Sequence, residues 1–337
     1  MWLLGFIGLL AVVYLISQTQ PWLAGNFPEN WNLGLRGVIN NFQSWVIGNR
    51  NTHPLFVLLL DPFSAAVDAA LRAIEDALIT PPWTAIVAVF ALLGWAAKGW
   101  RLALFCVAAL FIAGLFGLWE PTLQTLALII AAVLLSLLIG IPIGVLAAQS
   151  KPFNAALRPI LDTMQTMPAF VYLIPVVLFF GIARVPAVIA TMIYAIPPVI
   201  RLTTLGIQQV PPATIEAACA FGSTPRQILW KVQLPQAVQT ILAGVNQTIM
   251  MALGMVVIAA MIGAGGLGRE VFLTLQRLQV GQAFEAGLII VLVAILLDRI
   301  SEGFGKKDFV RWAGQSRAHK LQPLVIFVAL VGLATAL

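Results

Sequence analysis

Apolar runs at about 2–17, 83–97, 101–118, 122–148, 168–182, 185–200, 236–262, 283–297 and 323–337 dominate the chain and leave it little choice of fold. In lipid every backbone polar group must find its partner within the protein, so such runs fold as helices across or within a bilayer. With 61% of residues hydrophobic and 9% charged, the 337 residues lack the polar surface that a soluble domain needs. The expected class is an all-α polytopic membrane protein. Runs near about 15 residues are short for an untilted span and are expected to borrow flanking residues or lie beside longer neighbours. The longest, 122–148, carries Gly140, Pro142 and Gly144, and a kink is expected there.

Charge placement orients these helices. Segments 98–101, 149–163, 201–235 and 298–322 hold 13 of the 19 Lys and Arg, leaving Arg36, Arg50, Arg72, Arg184, Arg269 and Arg277 elsewhere. The bias places the four segments in the cytoplasm. The same rule accounts for the sequence pI of about 9.7 without nucleic acid. Cys106 lies in an apolar run and Cys219 in a polar one, so a disulfide framework is not expected. His53 and His319 stand alone, without metal-ligand spacing, and no metal site is expected.

The first run has no basic n-region, and Ser17-Gln18-Thr19-Gln20-Pro21-Trp22 supplies no small-x-small cleavage site, so residues 1–20 are expected to be an uncleaved anchor. An external loop, 21–82, follows with two amphipathic stretches: Trp31, Leu35, Val38, Phe42 and Trp45, then Phe63, Val67, Leu71, Ile74 and Leu78. The second is predicted to start with Asp61 as N-cap and Pro62 in the first helical position, and to stop at Pro81-Pro82. Both are expected at the membrane interface, bracing the bundle; a packed hairpin on the outer surface is the other reading. Two peripheral spans are expected over 83–120. Beyond the main bundle, 300–322 reads as a basic cytoplasmic segment, and 323–337 as an extra C-terminal span whose crossing the pattern leaves open.

One polar island interrupts the apolar chain, the loop 211–235. Pro211-Pro212 opens a short helix and Gly222 is placed to close it in a left-handed C-cap. Thr224-Pro225 opens a second helix, which Pro235 is expected to end. Ala217, Ala218 and Ala220 give the first helix little bulk, while Glu216 and Arg226 supply oriented charge. Such a helix suits insertion into a groove on another protein. Polar residues also gather within the span 236–262. Gln239, Asn246 and Gln247 sit there with the soft Met250 and Met251, and Gln239 and Asn246, seven apart, share a helix face. A water-lined passage is one reading; hydrogen bonds between helices are the other.

Glu216-Ala217-Ala218, Gly222, Val232 and Leu234-Pro235 resemble the EAA signature of permease subunits of bacterial ABC importers, departing only at Val232, where isoleucine is usual. Residues 161–175, 197–211 and 244–268 look like permeases for glycine betaine, proline betaine and related quaternary-ammonium osmolytes. The resemblance covers about 60–303. It implies a type I ABC importer transmembrane fold with a five-helix core, about 121–299, and extra N-terminal helices. It implies a coupling helix docked on a cytoplasmic ATP-binding subunit, a second permease copy, an extracytoplasmic substrate-binding protein and a site in the bacterial inner membrane. ATP and Mg would be bound by the partner subunit, with no cofactor in this chain.

Gly263, Gly265 and Gly268 spell G-x-G-x-x-G, but the run follows a membrane span rather than a strand, so dinucleotide binding is rejected. With Gly266 it reads as a glycine-hinged outer gate loop, which the resemblance supports. No G-x-x-x-x-G-K-[ST] occurs to cradle ATP. Apart from Glu285 at an outer edge, the apolar runs carry no ionisable residue in their middles, which weighs against the alternative, a cation-coupled secondary transporter. No catalytic residues are expected. The expected function is the permease subunit of an ATP-driven osmolyte importer.

Overall fold

The computed structural model describes residues 2–19 and 34–305; the expected extra span 323–337, most of the basic segment 300–322, and Trp31 lie outside them. The described residues are helical and contain no strand. Residues up to Asn51 form one compact unit, with α1 (Trp2–Thr19) and α2 (Leu35–Asn49). Leu35, Val38, Phe42 and Trp45 of α2 are exposed, with Phe42 stacked on Trp45.

The second unit, from Thr52, holds α3 (Asp61–Ile79), α4 (Trp83–Lys98), α5 (Trp100–Leu115), α6 (Trp119–Gln149), α7 (Lys151–Thr166), α8 (Ala169–Phe180), α9 (Arg184–Gln208), α10 (Pro212–Ala220), α11 (Pro225–Ile228), α12 (Leu234–Ala259), α13 (Leu267–Gln276) and α14 (Val280–Gly305). Four stretches are long and apolar enough to span: α6, α9, the continuous 225–262 and α14. Two more candidates are bent, the pair 55–79 with α4 by 101° and α7 with α8 by 104°. From α6 onward this makes five elements, one of them broken.

Helix α9 is the centre, packed between α6 and α12. Gly140 and Gly144, four apart on α6, let α9 come close. A Cβ at Gly140 would lie 2.4 Å from Val199, and one at Gly144 2.6 Å from Thr203 and 2.8 Å from the Ile200 carbonyl. Thr204 Oγ1 donates across this contact to the Gly144 carbonyl at 3.0 Å. Pro142 stays inside one unbroken helix. On the other side of α9, Gly244 of α12 meets Leu202 and Val199.

Two sequence expectations change here. Helix α9 does not stop at residue 200: it continues through Arg201 to Gln208, and Arg201 pairs with Asp162 of α7. Helix α3 does not begin at an Asp61 cap. A π-helical turn, Leu55–Leu60, leads into it, and Val67 and Leu71 are buried against α6 and α9. Glu75 pairs with Arg184 of α9. The wider turn moves carbonyl groups clear of the ring of Pro62, which is why the helix forms before the proline. At the opposite end, Lys98 of α4 and Arg299 both pair with Glu302, tying α4 to α14.

Candidate functional site

The polar loop is built by local chemistry. Pro212 is the first residue of α10, and Gly222 takes φ +76° just beyond its end. Ser223 N–H donates to the Ala218 carbonyl at 3.1 Å and Gly222 N–H to the Cys219 carbonyl at 2.9 Å, the paired bonds of a Schellman turn. Two residues later Thr224 and Gln227 form a reciprocal capping box: Gln227 N–H donates to Thr224 Oγ1, and Thr224 N–H to Gln227 Oε1 at 2.8 Å. Two short helices are thereby joined by a turn with little freedom.

What the loop presents is uncovered. No residue of α10 is buried, and Phe221 and Trp230 are 91% and 69% exposed. Glu216 and Arg226 are exposed and have no ion pair among the described residues. Ala217 and Cys219 are exposed and Ala218 is half-buried. The far end of the loop is anchored, with Val232 half-buried and Leu234 packed on Ile207, Leu229 and Ala237.

The expected stop at Pro235 is absent. A π-helical turn, Leu229–Gln233, carries α11 straight into α12, with Leu234 N–H donating to the Leu229 carbonyl. The extra residue in the turn shifts the carbonyl that the Pro235 ring would otherwise strike, so the helix runs on. The capping turn is thus joined rigidly to a 38-residue helix, 225–262.

Helix α12 divides the expected passage residues. Gln239, Gln247 and Met250 fall on one exposed strip, continued by Gln236, Ala243 and Gly254. Met251 turns inward to pack on the core. Asn246 also leaves the strip: its Nδ2 donates to Asp298 Oδ1 of α14 at 3.3 Å, and its own Oδ1 is buried without a partner. The heptad spacing put Gln239 and Asn246 near one another on the helix, but Asn246 sits at the edge where α14 covers the surface. Asp298 was missed as a partner because it follows the apolar run 283–297, while α14 extends past it to Gly305. Asn246→Leu is expected to lower the thermal stability of the purified permease by about 1–2 kcal/mol, since Asp298 loses its donor. Uptake per folded complex should hold. Gln247→Leu should show the reverse pattern, and a stability loss confined to Gln247→Leu would exchange their roles.

The glycine loop is packed rather than hinged. Gly266 N–H donates to Gln124 Oε1 at 3.0 Å and Leu267 N–H to Thr125 Oγ1 at 2.8 Å, so α6 supplies acceptors to the start of α13. Gly263 and Gly266 take positive φ, and a Cβ on Gly266 would lie 2.4 Å from Thr125 Oγ1. At Gly268 it would lie 2.4 Å from the Val256 carbonyl, and at Gly265 3.0 Å from Gln124. The glycines serve close approach. Gln124 and Thr125, remote in sequence, carried no signal of this role.

Residues 140–307 match the family described as "Binding-protein-dependent transport system inner membrane component". The chain is 46% identical over 273 residues to the glycine betaine transport system permease protein OpuAB of Bacillus subtilis, across 81% of this chain and 95% of that one. It is 48% identical over 258 residues to the glycine betaine/proline betaine transport system permease protein ProW of Escherichia coli, across 77% and 72%. With the glycine betaine/carnitine transport permease protein GbuB of Listeria monocytogenes the identity is 49% over 232 residues, covering 68% and 82%. The fold resembles that of the MetNI methionine ABC transporter in an inward-facing conformation, with a TM-score of 0.51 and 22% identity over 56% of this chain and 94% of that one.

Proposed function

The chain belongs to the family of binding-protein-dependent transport system inner membrane components, and from that premise we propose that it is the permease subunit of an ATP-driven importer of glycine betaine, proline betaine or a related quaternary-ammonium osmolyte. It is a multi-pass inner-membrane component and not itself catalytic. Cytoplasmic ATP-binding subunits supply the energy, a substrate-binding protein delivers the solute, and a second copy of the permease completes the passage.

One observation carries this reading: the uncovered α10, held by its Schellman turn and capping box at the end of the continuous helix 225–262. In it, Glu216, Ala217, Ala218, Gly222 and Arg226 form the surface that meets the ATPase, and Val232, Leu234 and Pro235 anchor it. At 1.5 Å per residue the helix beyond is a lever of about 57 Å, long enough to carry a displacement of α10 across the membrane. Its strip of Gln239, Gln247 and Met250 is then the part of the passage wall that moves. Gating is a rigid-body rotation of helices, with the packed glycine loop clamping α13 to α6 on the outer side.

The test is uptake by the reconstituted complex, comparing glycine betaine, proline betaine, choline, proline and taurine with and without ATP inside the vesicles. ATP-dependent uptake of the betaines is expected; uptake driven by a sodium gradient in the permease alone would overturn the proposal. Orientation has its own check. Cys219 is exposed and Cys106 buried, so a membrane-impermeant maleimide should label Cys219 in inside-out vesicles and spare right-side-out ones. Labelling only in right-side-out vesicles would invert the topology.

A further inference from the structure

Between α7 and α9, at the end of the bundle that the charge bias assigns to the cytoplasm, lies a cavity of about 250 Å³ with Arg158, Asp162 and Arg201 in its wall. Arg201 pairs with Asp162, but its Nε is buried without a hydrogen-bond partner. Arg158 is exposed and has neither an ion pair nor a hydrogen bond to its side chain among the described residues. Two guanidinium groups therefore face one carboxylate, and the cavity holds a net positive charge with donors to spare. Arg201 stands seven residues before the end of α9, about 10 Å along the helix.

The remaining wall suits a ligand with one anionic end and one apolar end. Leu157 lines the cavity beside Leu205, which is 42% exposed. On the adjoining face of α7, Phe153 and Ile160 are also uncovered. A helix with such a face beside basic residues lies in the membrane interface, and arginine forks match phosphate oxygens. We propose that this cavity binds an anionic phospholipid of the cytoplasmic leaflet, its phosphate between Arg158 and Arg201 and an acyl chain along Leu157 and Leu205. Basic pockets between helices on that side are a known form of headgroup site. The proposal does not depend on which solute is carried.

The test uses the purified transporter complex in phosphatidylcholine nanodiscs with and without phosphatidylglycerol, with bound lipid read by native mass spectrometry. Wild type should retain phosphatidylglycerol in preference to phosphatidylcholine. Arg158→Gln, which removes a cation with no internal partner, should lower that retention roughly tenfold, as expected for losing hydrogen bonds to a charged group. Lys151→Gln, on the same helix but outside the cavity, should retain it. Equal retention by Arg158→Gln and wild type would overturn the proposal, as would an equal loss in Lys151→Gln, which would mean diffuse charge attraction. Displacement of the lipid by inorganic phosphate would reassign the site to a soluble anion. An Arg158→Gln variant that keeps the lipid but loses the ATP-binding subunit would make Arg158 a protein contact.

Discussion

Replacing Gly222 with leucine is expected to lower osmolyte uptake and complex-dependent ATP hydrolysis together, while the permease still enters the membrane at normal abundance. The effect does not come from crowding, because a Cβ at Gly222 meets nothing within 4 Å. It comes from φ +76°, which a branched L side chain adopts at a cost of about 1–2 kcal/mol. That cost lowers the population of the native turn by about 5–30-fold and re-aims α10 against the helix that follows. The spans are untouched, since the Schellman turn and α10 contribute nothing to the buried core. Asparagine tolerates the left-handed region, so Gly222→Asn should recover much of the activity. Uptake by Gly222→Leu equal to wild type would show that the turn does not transmit ATPase motion.

Gly144→Leu is expected to prevent assembly of the bundle itself. The side chain would start from a Cβ 2.6 Å from Thr203 and 2.8 Å from the Ile200 carbonyl, where neither α6 nor α9 has room to yield. Overpacking of this kind costs about 1–3 kcal/mol or more. Separating the helices also strains the bond from Thr204 to the Gly144 carbonyl. The expected result is a sharp fall in membrane abundance and in the melting temperature of what remains in detergent. Gly144→Ala should lie between this variant and wild type. Gly287→Leu is the matched control, a leucine placed in a span with nothing within 4 Å of its Cβ. If Gly144→Leu melts with Gly287→Leu, α6 and α9 do not pack as described.

Whatever depends on residues a few positions apart was readable from the chain. Apolar run length determined the membrane class and the helices, because backbone groups in lipid must pair within their own segment. The left-handed Gly222 and the Thr224 cap were legible for the same reason, since each is satisfied within five residues. The spacing of Gly140 and Gly144 was visible too, though only the packed neighbour showed that it serves close approach rather than a kink. Tertiary structure decided the rest. Periodicity gives the angle of a side chain around its helix but not what covers that angle, so Asn246 met Asp298 of α14 instead of joining Gln239 on the open strip. Proline alone signals a lost donor and a clash, so the continuation through Pro235 awaited the π-helical turn that moves the carbonyl away. The bonds from Gly266 and Leu267 to Gln124 and Thr125 close over 142 residues, a separation at which only folding brings donor and acceptor together.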